Sequence, residues 1–160
     1  MVQHLVLVDF VPIAIVILFR PRIGRALAVA AFPLWLANLV LWHIPAIFDA
    51  ALRHTALHAL QHVALLGAGG VLWSAVVGPS LGVGPRLAIV AGMMLSGIVL
   101  SSLLLWWPRV LYVGTASLTD QRVGGGLMLL EGMVVGLGVA AWLILTFLRD
   151  DGGAGASPSL

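Results

Sequence analysis

The sequence predicts an all-α membrane protein, a bundle of about five transmembrane helices. Hydrophobic residues make up 61% of the chain and charged residues only 9%, with a mean hydropathy of +1.13. Because soluble domains carry about 25% charged residues, this composition indicates a chain that lies in a lipid bilayer. The 160 residues have room for about five spans of about 20 residues each. We therefore expect one helical bundle over residues 1–149 and a disordered tail, rich in Gly, Ala and Ser, over residues 150–160.

The apolar stretches define the individual helices. Breaker residues separate them, most clearly in the segment from Gly78-Pro79 to Gly84-Pro85, which reads as a loop. A longer connection, from Trp107 to Gln121, precedes the last apolar stretch. Tryptophans near the predicted ends, among them Trp42 and Trp73, are expected to anchor the chain at the membrane surface. The predicted helices cover residues 3–19, 26–48, 55–77, 86–106 and 123–148.

The arginines predict the orientation. The chain has eight arginines, no lysine and six acidic residues, for a net charge of +2. One side of the predicted bundle collects five of the arginines, and the positive-inside rule makes that side cytoplasmic. We expect a multi-pass protein of the bacterial plasma membrane with its N-terminus outside and its C-terminus in the cytoplasm. No basic cluster of the kind that binds nucleic acid is present. The five arginines are Arg20, Arg22, Arg25, Arg86 and Arg149.

Four histidines are predicted to meet near the outer face. His58 and His62 are four residues apart, so a helix places them on one side. At about 1.5 Å per residue, His43 and His62 both lie roughly 7–11 Å below the outer boundary, and His4 begins the first helix there. Ionisable side chains at such depth are costly and indicate function. A shared metal site is our interpretation; hydrogen-bonded helix ends are the alternative. His54 lies at the surface and is left out.

The chemistry of the histidines favours a metal over catalysis. Cysteine is absent, which excludes thiolate ligands and thiol catalysis. Neutral imidazole suits copper, zinc and haem iron. Three or four imidazoles facing outward fit copper or zinc, and two of them would also seat a haem. No Ser/His/Asp arrangement and no HExxH motif is present, so we do not expect an enzyme.

The last predicted helix adds polar groups from the same side. Asp120 and Gln121 sit at its start, and Glu131 lies about two turns further in. Asp120 or Glu131 would orient an imidazole or accept its proton, and Gln121 is a further candidate to lie beside the ligands. Asp9 in the first helix is a candidate partner for a histidine on a neighbouring helix. Hydrogen bonding between helices is the alternative for Asp9 and Glu131.

Several strings resemble the CtaG family of cytochrome c oxidase assembly factors. They are Met1-Val2-Gln3-His4-Leu5, the run from Leu41-Trp42-His43-Ile44-Pro45 to His54, Leu57-His58-Ala59-Leu60-Gln61-His62, and Asp120-Gln121 before Gly124-Gly125-Gly126-Leu127-Met128. The resemblance implies a multi-helix membrane protein that helps to insert copper into haem–copper oxidase, with oxidase subunits as partners. It places the family's histidines on His4, His43, His58 and His62, and its Asp-Gln pair on Asp120 and Gln121. It also implies that this chain is shortened at its N-terminus.

Three functions remain open at this point. The first is a non-enzymatic copper-binding assembly protein, in which His58 and His62 are the central ligands and His43 and His4 complete the site. The second is a haem-binding electron-transfer subunit with two axial histidines. The third is a metal-free scaffold for oxidase subunits in contact with membrane lipid. Small residues spaced along the helices would also allow a homodimer.

Overall fold

The computed structural model describes residues 6–112 and 117–154, and this part of the chain is helical with no strand. A short π-helical turn leads into the first α-helix, and five further α-helices follow. They are the π turn Val6–Phe10, α1 (Val11–Phe19), α2 (Arg25–His43), α3 (Pro45–Arg53), α4 (Thr55–Val77), α5 (Val83–Trp106) and α6 (Leu118–Ala154).

Four of these helices are long and apolar enough to cross a membrane. They are α2, α4, α5 and α6, and a shorter apolar helix covers Leu7–Phe19. Most of their surface stays outside the protein interior, as expected for helices that face lipid. The predicted fold class, a helical membrane bundle, is confirmed.

The C-terminal end of the second predicted helix was wrong. It was expected to continue to residue 48, but α2 ends at His43 and a separate helix begins at Pro45. Ile44 between them is extended, with φ −64° and ψ 121°. A proline disfavours the helical conformation of the residue before it and suits the first position of a new helix, so Pro45 explains the break. The short helix α3 then buries Phe48, Asp49 and Ala51.

The last predicted helix also differs at both ends, and the remaining boundaries differ less. Helix α4 covers 55–77 as predicted, and Gly78 ends it. Helices α5 and α6 both begin a few residues earlier than expected. Helix α6 continues to Ala154 and so includes the first residues of the segment predicted to be disordered. Residues 155–160 of that segment lie outside the described part.

The helices alternate in direction, so their connections gather at two ends. Helix α4 packs against both α1 and α2, and α5 packs mainly against α6. At one end the Ser80 hydroxyl donates to the carbonyl of Ile23 over 2.6 Å, which joins the connections 20–24 and 78–82. We call this the arginine end, because Arg20, Arg22 and Arg86 lie there. The opposite end, which contains α3 and residues 107–112, is the histidine end.

A close approach of two backbones fixes α1 and the turn before it against α4. Pro12 has no N–H, so it cannot donate to the carbonyl of Val8 one turn earlier. That carbonyl points instead at Gly69, where an added Cβ would collide with its oxygen and with the Pro12 ring. The glycine therefore lets the first segment reach the protein core, where Asp9 enters the interior.

Candidate histidine site

His58 and His62 form a pair in the first two turns of α4. Their ring centroids are 4.2 Å apart and the ring planes meet at 60°. Both side chains are partly buried. The two imidazoles are therefore close neighbours on one side of a rigid helix.

His43, the last residue of α2, lies on a different surface. Its Nδ1 is 2.8 Å from the carbonyl oxygen of Leu39, so Nδ1 carries the proton in this hydrogen bond and Nε2 keeps its lone pair. The side chain lines a groove of about 550 Å³ between α2 and α5, in which Ser96 is the other polar side chain. Neither histidine of the α4 pair lines this groove.

The predicted set of four histidines is thus only partly described. In residues 6–112 and 117–154, no three His, Asp or Glu side chains lie close enough to hold one metal ion. The structure brings His58 and His62 together, but it does not add His43 to them. His4 lies outside the described residues, so the ligand set that includes it stays a prediction. His54, which was left out of the site, is exposed between α3 and α4.

The Asp-Gln pair at the start of α6 makes local hydrogen bonds. The backbone N–H of Asp120 donates to the Ser117 hydroxyl over 3.1 Å, and that hydroxyl donates back to the Asp120 carboxylate over 2.8 Å. This reciprocal bonding stabilises a helix start. Gln121 is buried; its amide donates to the Leu104 carbonyl and accepts from the backbone N–H of Leu111. Their described contacts do not include an imidazole.

Asp9 and Glu131 meet each other in the interior. The Trp73 indole N–H donates to Asp9 Oδ1 over 3.0 Å, and Asp9 and Glu131 line the same small cavity. Two neighbouring carboxylates repel each other in an apolar interior, so a proton on one of them is favourable. Glu131 Oε1 is buried and has no hydrogen-bond partner among the described residues.

Sequence reasoning missed the contribution of Trp73. It was expected to anchor the chain at the membrane surface, but it is only 1% exposed and lies in the core. Trp42 is likewise buried and donates to the Asn38 side chain over 2.9 Å. The signal that was available is an acidic residue, Asp9, inside an apolar helix. A buried carboxyl needs a donor, and an indole N–H is one of the few that an apolar bundle offers.

The loop before α6 closes over the last turn of α2. The Tyr112 hydroxyl donates to the carbonyl of His43 over 3.2 Å, and its ring packs on Phe48 with centroids 4.4 Å apart. Burial, reinforced by the nearby Asp49 carboxylate, raises the pKa of Tyr112 to about 12. The phenol therefore stays neutral and holds the histidine end together.

The chain was compared with known protein families. The family model described as cytochrome c oxidase caa3 assembly factor (Caa3_CtaG) matches residues 17–150. The chain belongs to this family.

This CtaG-family assignment confirms the resemblance found in the sequence. The matched region includes His43, His58 and His62 together with Asp120, Gln121 and Glu131, whereas His4 and Asp9 precede it. No curated protein and no solved structure shows significant similarity to the chain. Its fold as a helical membrane bundle therefore rests on the sequence and on the geometry described above.

Proposed function

We propose that this CtaG-family chain is a non-catalytic assembly factor of the bacterial plasma membrane that binds copper at its histidine end and passes it to cytochrome c oxidase. The observation that carries the proposal is the pair His58 and His62, whose ring centroids are 4.2 Å apart on one helix. Copper is the cargo in this function, and the two imidazoles are its central ligands.

A third imidazole is proposed from the start of the chain. Leu7 packs against the buried cluster of Trp42, Ala51 and Leu65, and Leu65 is three residues beyond His62 on α4. His4 precedes Leu7 by three residues, and three residues span at most about 11 Å. We propose His4 as the ligand that completes the set.

A site with two or three imidazoles suits a transfer function. It leaves a coordination position open, so an acceptor ligand on an oxidase subunit can bind before the histidines release the metal. The arginines collected at the opposite end support a cytoplasmic arginine end and an outward-facing histidine end. Copper would then be delivered from outside.

Copper affinity of the detergent-purified protein tests the proposal. We expect the wild type to bind about one Cu(I) per chain in competition with a chromophoric chelator. The His58→Ala and His62→Ala variants should each lose about tenfold or more in affinity, since even groups that only orient a metal ligand contribute 10–100-fold. The His4→Ala variant should show a smaller loss. The His43→Ala variant should stay near wild type, because His43 lines a separate groove.

His54→Ala is the matched control, since His54 is exposed and only a few residues from the pair. Equal copper affinity in the wild type and the His58→Ala/His62→Ala double variant would refute the copper site. An absorption spectrum of the same samples separates the alternatives. A Soret band that depends on these histidines would indicate haem binding. No metal and no haem, with normal oxidase assembly by the double variant, would indicate a scaffold.

A further inference from the structure

A large cavity opens at the arginine end. It measures about 730 Å³ and lies between the C-terminal halves of α1 and α6. These two helices make few close backbone approaches. Its walls are apolar, with Ile13 and Val16 from α1 and Val139 from α6, and Trp73 closes its deep end. Its volume lies in the range of cavities that hold small molecules, about 300–1,000 Å³.

The mouth of this cavity is positively charged. Arg20 and Arg22 from the connection after α1 and Arg86 from α5 all line it, whereas no acidic residue does. Arg86 is partly buried, and its Nε donates to the carbonyl of Leu81 over 2.7 Å, which fixes the direction of the guanidinium. Three guanidinium groups around one opening match a phosphate, because each offers donors in a planar fork.

Arg20 also has an unfavourable backbone conformation. It ends α1 in the left-handed region, with φ 46° and ψ 52°, and its N–H donates to the carbonyl of Val16. This is the position in a helix termination at which glycine is strongly favoured, because a Cβ is disfavoured there. An arginine at this position costs backbone stability, and it places a third positive charge at the mouth.

We propose that the cavity is a binding site for an anionic phospholipid of the adjoining leaflet. The headgroup phosphate would be held by Arg20, Arg22 and Arg86. One acyl chain would run between α1 and α6 toward Trp73, past Gly138, where an added side chain would meet open space. Clustered basic residues at the cytoplasmic ends of transmembrane helices are the expected partners of anionic headgroups. The site is remote from the histidine pair and does not depend on copper binding.

Lipid binding to the delipidated full-length protein tests this. Phosphatidylglycerol, phosphatidylcholine with the same acyl chains, and inorganic phosphate would each be added, with native mass spectrometry and thermal unfolding as readouts. We expect one retained phosphatidylglycerol per chain and a raised Tm, with weaker binding of phosphatidylcholine and no shift by phosphate. Arg86→Gln and Arg20→Gly should each weaken phosphatidylglycerol binding about five-fold, the effect of about 1 kcal/mol per arginine.

The variants separate loss of binding from loss of folding. Arg20→Gly relieves the backbone strain, so it should raise the Tm of the lipid-free protein while it weakens the binding of phosphatidylglycerol. Gly138→Leu leaves the charges in place and fills the path of the acyl chain, so it should also weaken the binding of phosphatidylglycerol. Arg53→Gln, at the histidine end, should leave binding unchanged. Equal binding of the two lipids, an unchanged affinity in Arg20→Gly and Arg86→Gln, or an equal Tm shift with inorganic phosphate would overturn the proposal.

Discussion

Asp9 accepts a hydrogen bond from the Trp73 indole N–H over 3.0 Å in the interior of the bundle, and Glu131 lines the same small cavity. Asp9 belongs to the π turn before α1, and Glu131 lies on α6, and the two helices otherwise approach little. A cavity of about 70 Å³ adjoins both carboxyls. Asp9 and Glu131 therefore bring polar groups of the first and last helices to one place, and Trp73 on α4 ties Asp9 to the centre. An unpaired polar group in an apolar interior is costly, so these groups need polar partners.

The first prediction concerns the polar contacts of Asp9. Asp9→Asn should leave the thermal stability close to wild type, because an amide can accept from the Trp73 indole and donate to the Glu131 carboxylate. Asp9→Leu should lower the free energy of unfolding by about 1–3 kcal/mol, because it leaves the Trp73 indole and the Glu131 carboxyl without a polar partner at this position. Thermal unfolding in detergent, followed by circular dichroism, measures both. If the two variants were equally stable, the hydrogen bonds would not contribute.

The second prediction concerns the contact between α4 and the first segment. Gly69→Ala should destabilise the protein by about 1–3 kcal/mol, since the new Cβ would collide with the Val8 carbonyl, which is backbone and cannot move aside easily. Gly67→Ala is the matched control on the same helix. No atom lies within 4 Å of its added Cβ, so we expect a change of at most about 1 kcal/mol, toward stability. Equal effects of the two changes would contradict the close approach.

The helices were predictable from the sequence because lipid imposes a simple requirement. Every membrane-spanning backbone must satisfy its hydrogen bonds internally, so long apolar stretches become helices and breakers such as Gly78-Pro79 end them. The break at Ile44 was missed because the apolar pattern continues through it. The signal was Pro45, which acts on the residue before it and not on the hydropathy.

The candidate site was less predictable, because side-chain partners depend on how helices rotate against each other. The i,i+4 spacing placed His58 and His62 together, since that contact lies within one helix. Whether His43 faces them depends on the rotation of α2, which the sequence does not specify. In the same way, Asp9 was a candidate partner for a histidine, but the packing of α1 on α4 turns it toward Trp73.

The third prediction uses the single tyrosine of the chain. Ultraviolet titration of phenolate should give Tyr112 a pKa of about 12 in the folded protein, against about 10 after unfolding. Between these two pH values Tyr112 keeps its proton in the folded state and loses it in the unfolded state. The contribution to stability is therefore full below about pH 10 and is lost as pH rises toward about 12. Asp49→Asn should lower the folded pKa. A folded pKa near 10 would contradict the buried, hydrogen-bonded phenol.

The fourth prediction concerns the loop that Gln121 holds. Its side chain bonds the carbonyls of Leu104 and Arg109 and the N–H of Leu111, so Gln121→Ala would leave backbone groups of this segment without their partner. We expect a loss of about 1–3 kcal/mol and faster trypsin cleavage after Arg109, which is exposed. Thr119→Ala, an exposed neighbour on the same helix turn, is the control and should be cleaved at the wild-type rate. Unchanged cleavage of the Gln121→Ala variant would show that the loop is held by its apolar contacts alone.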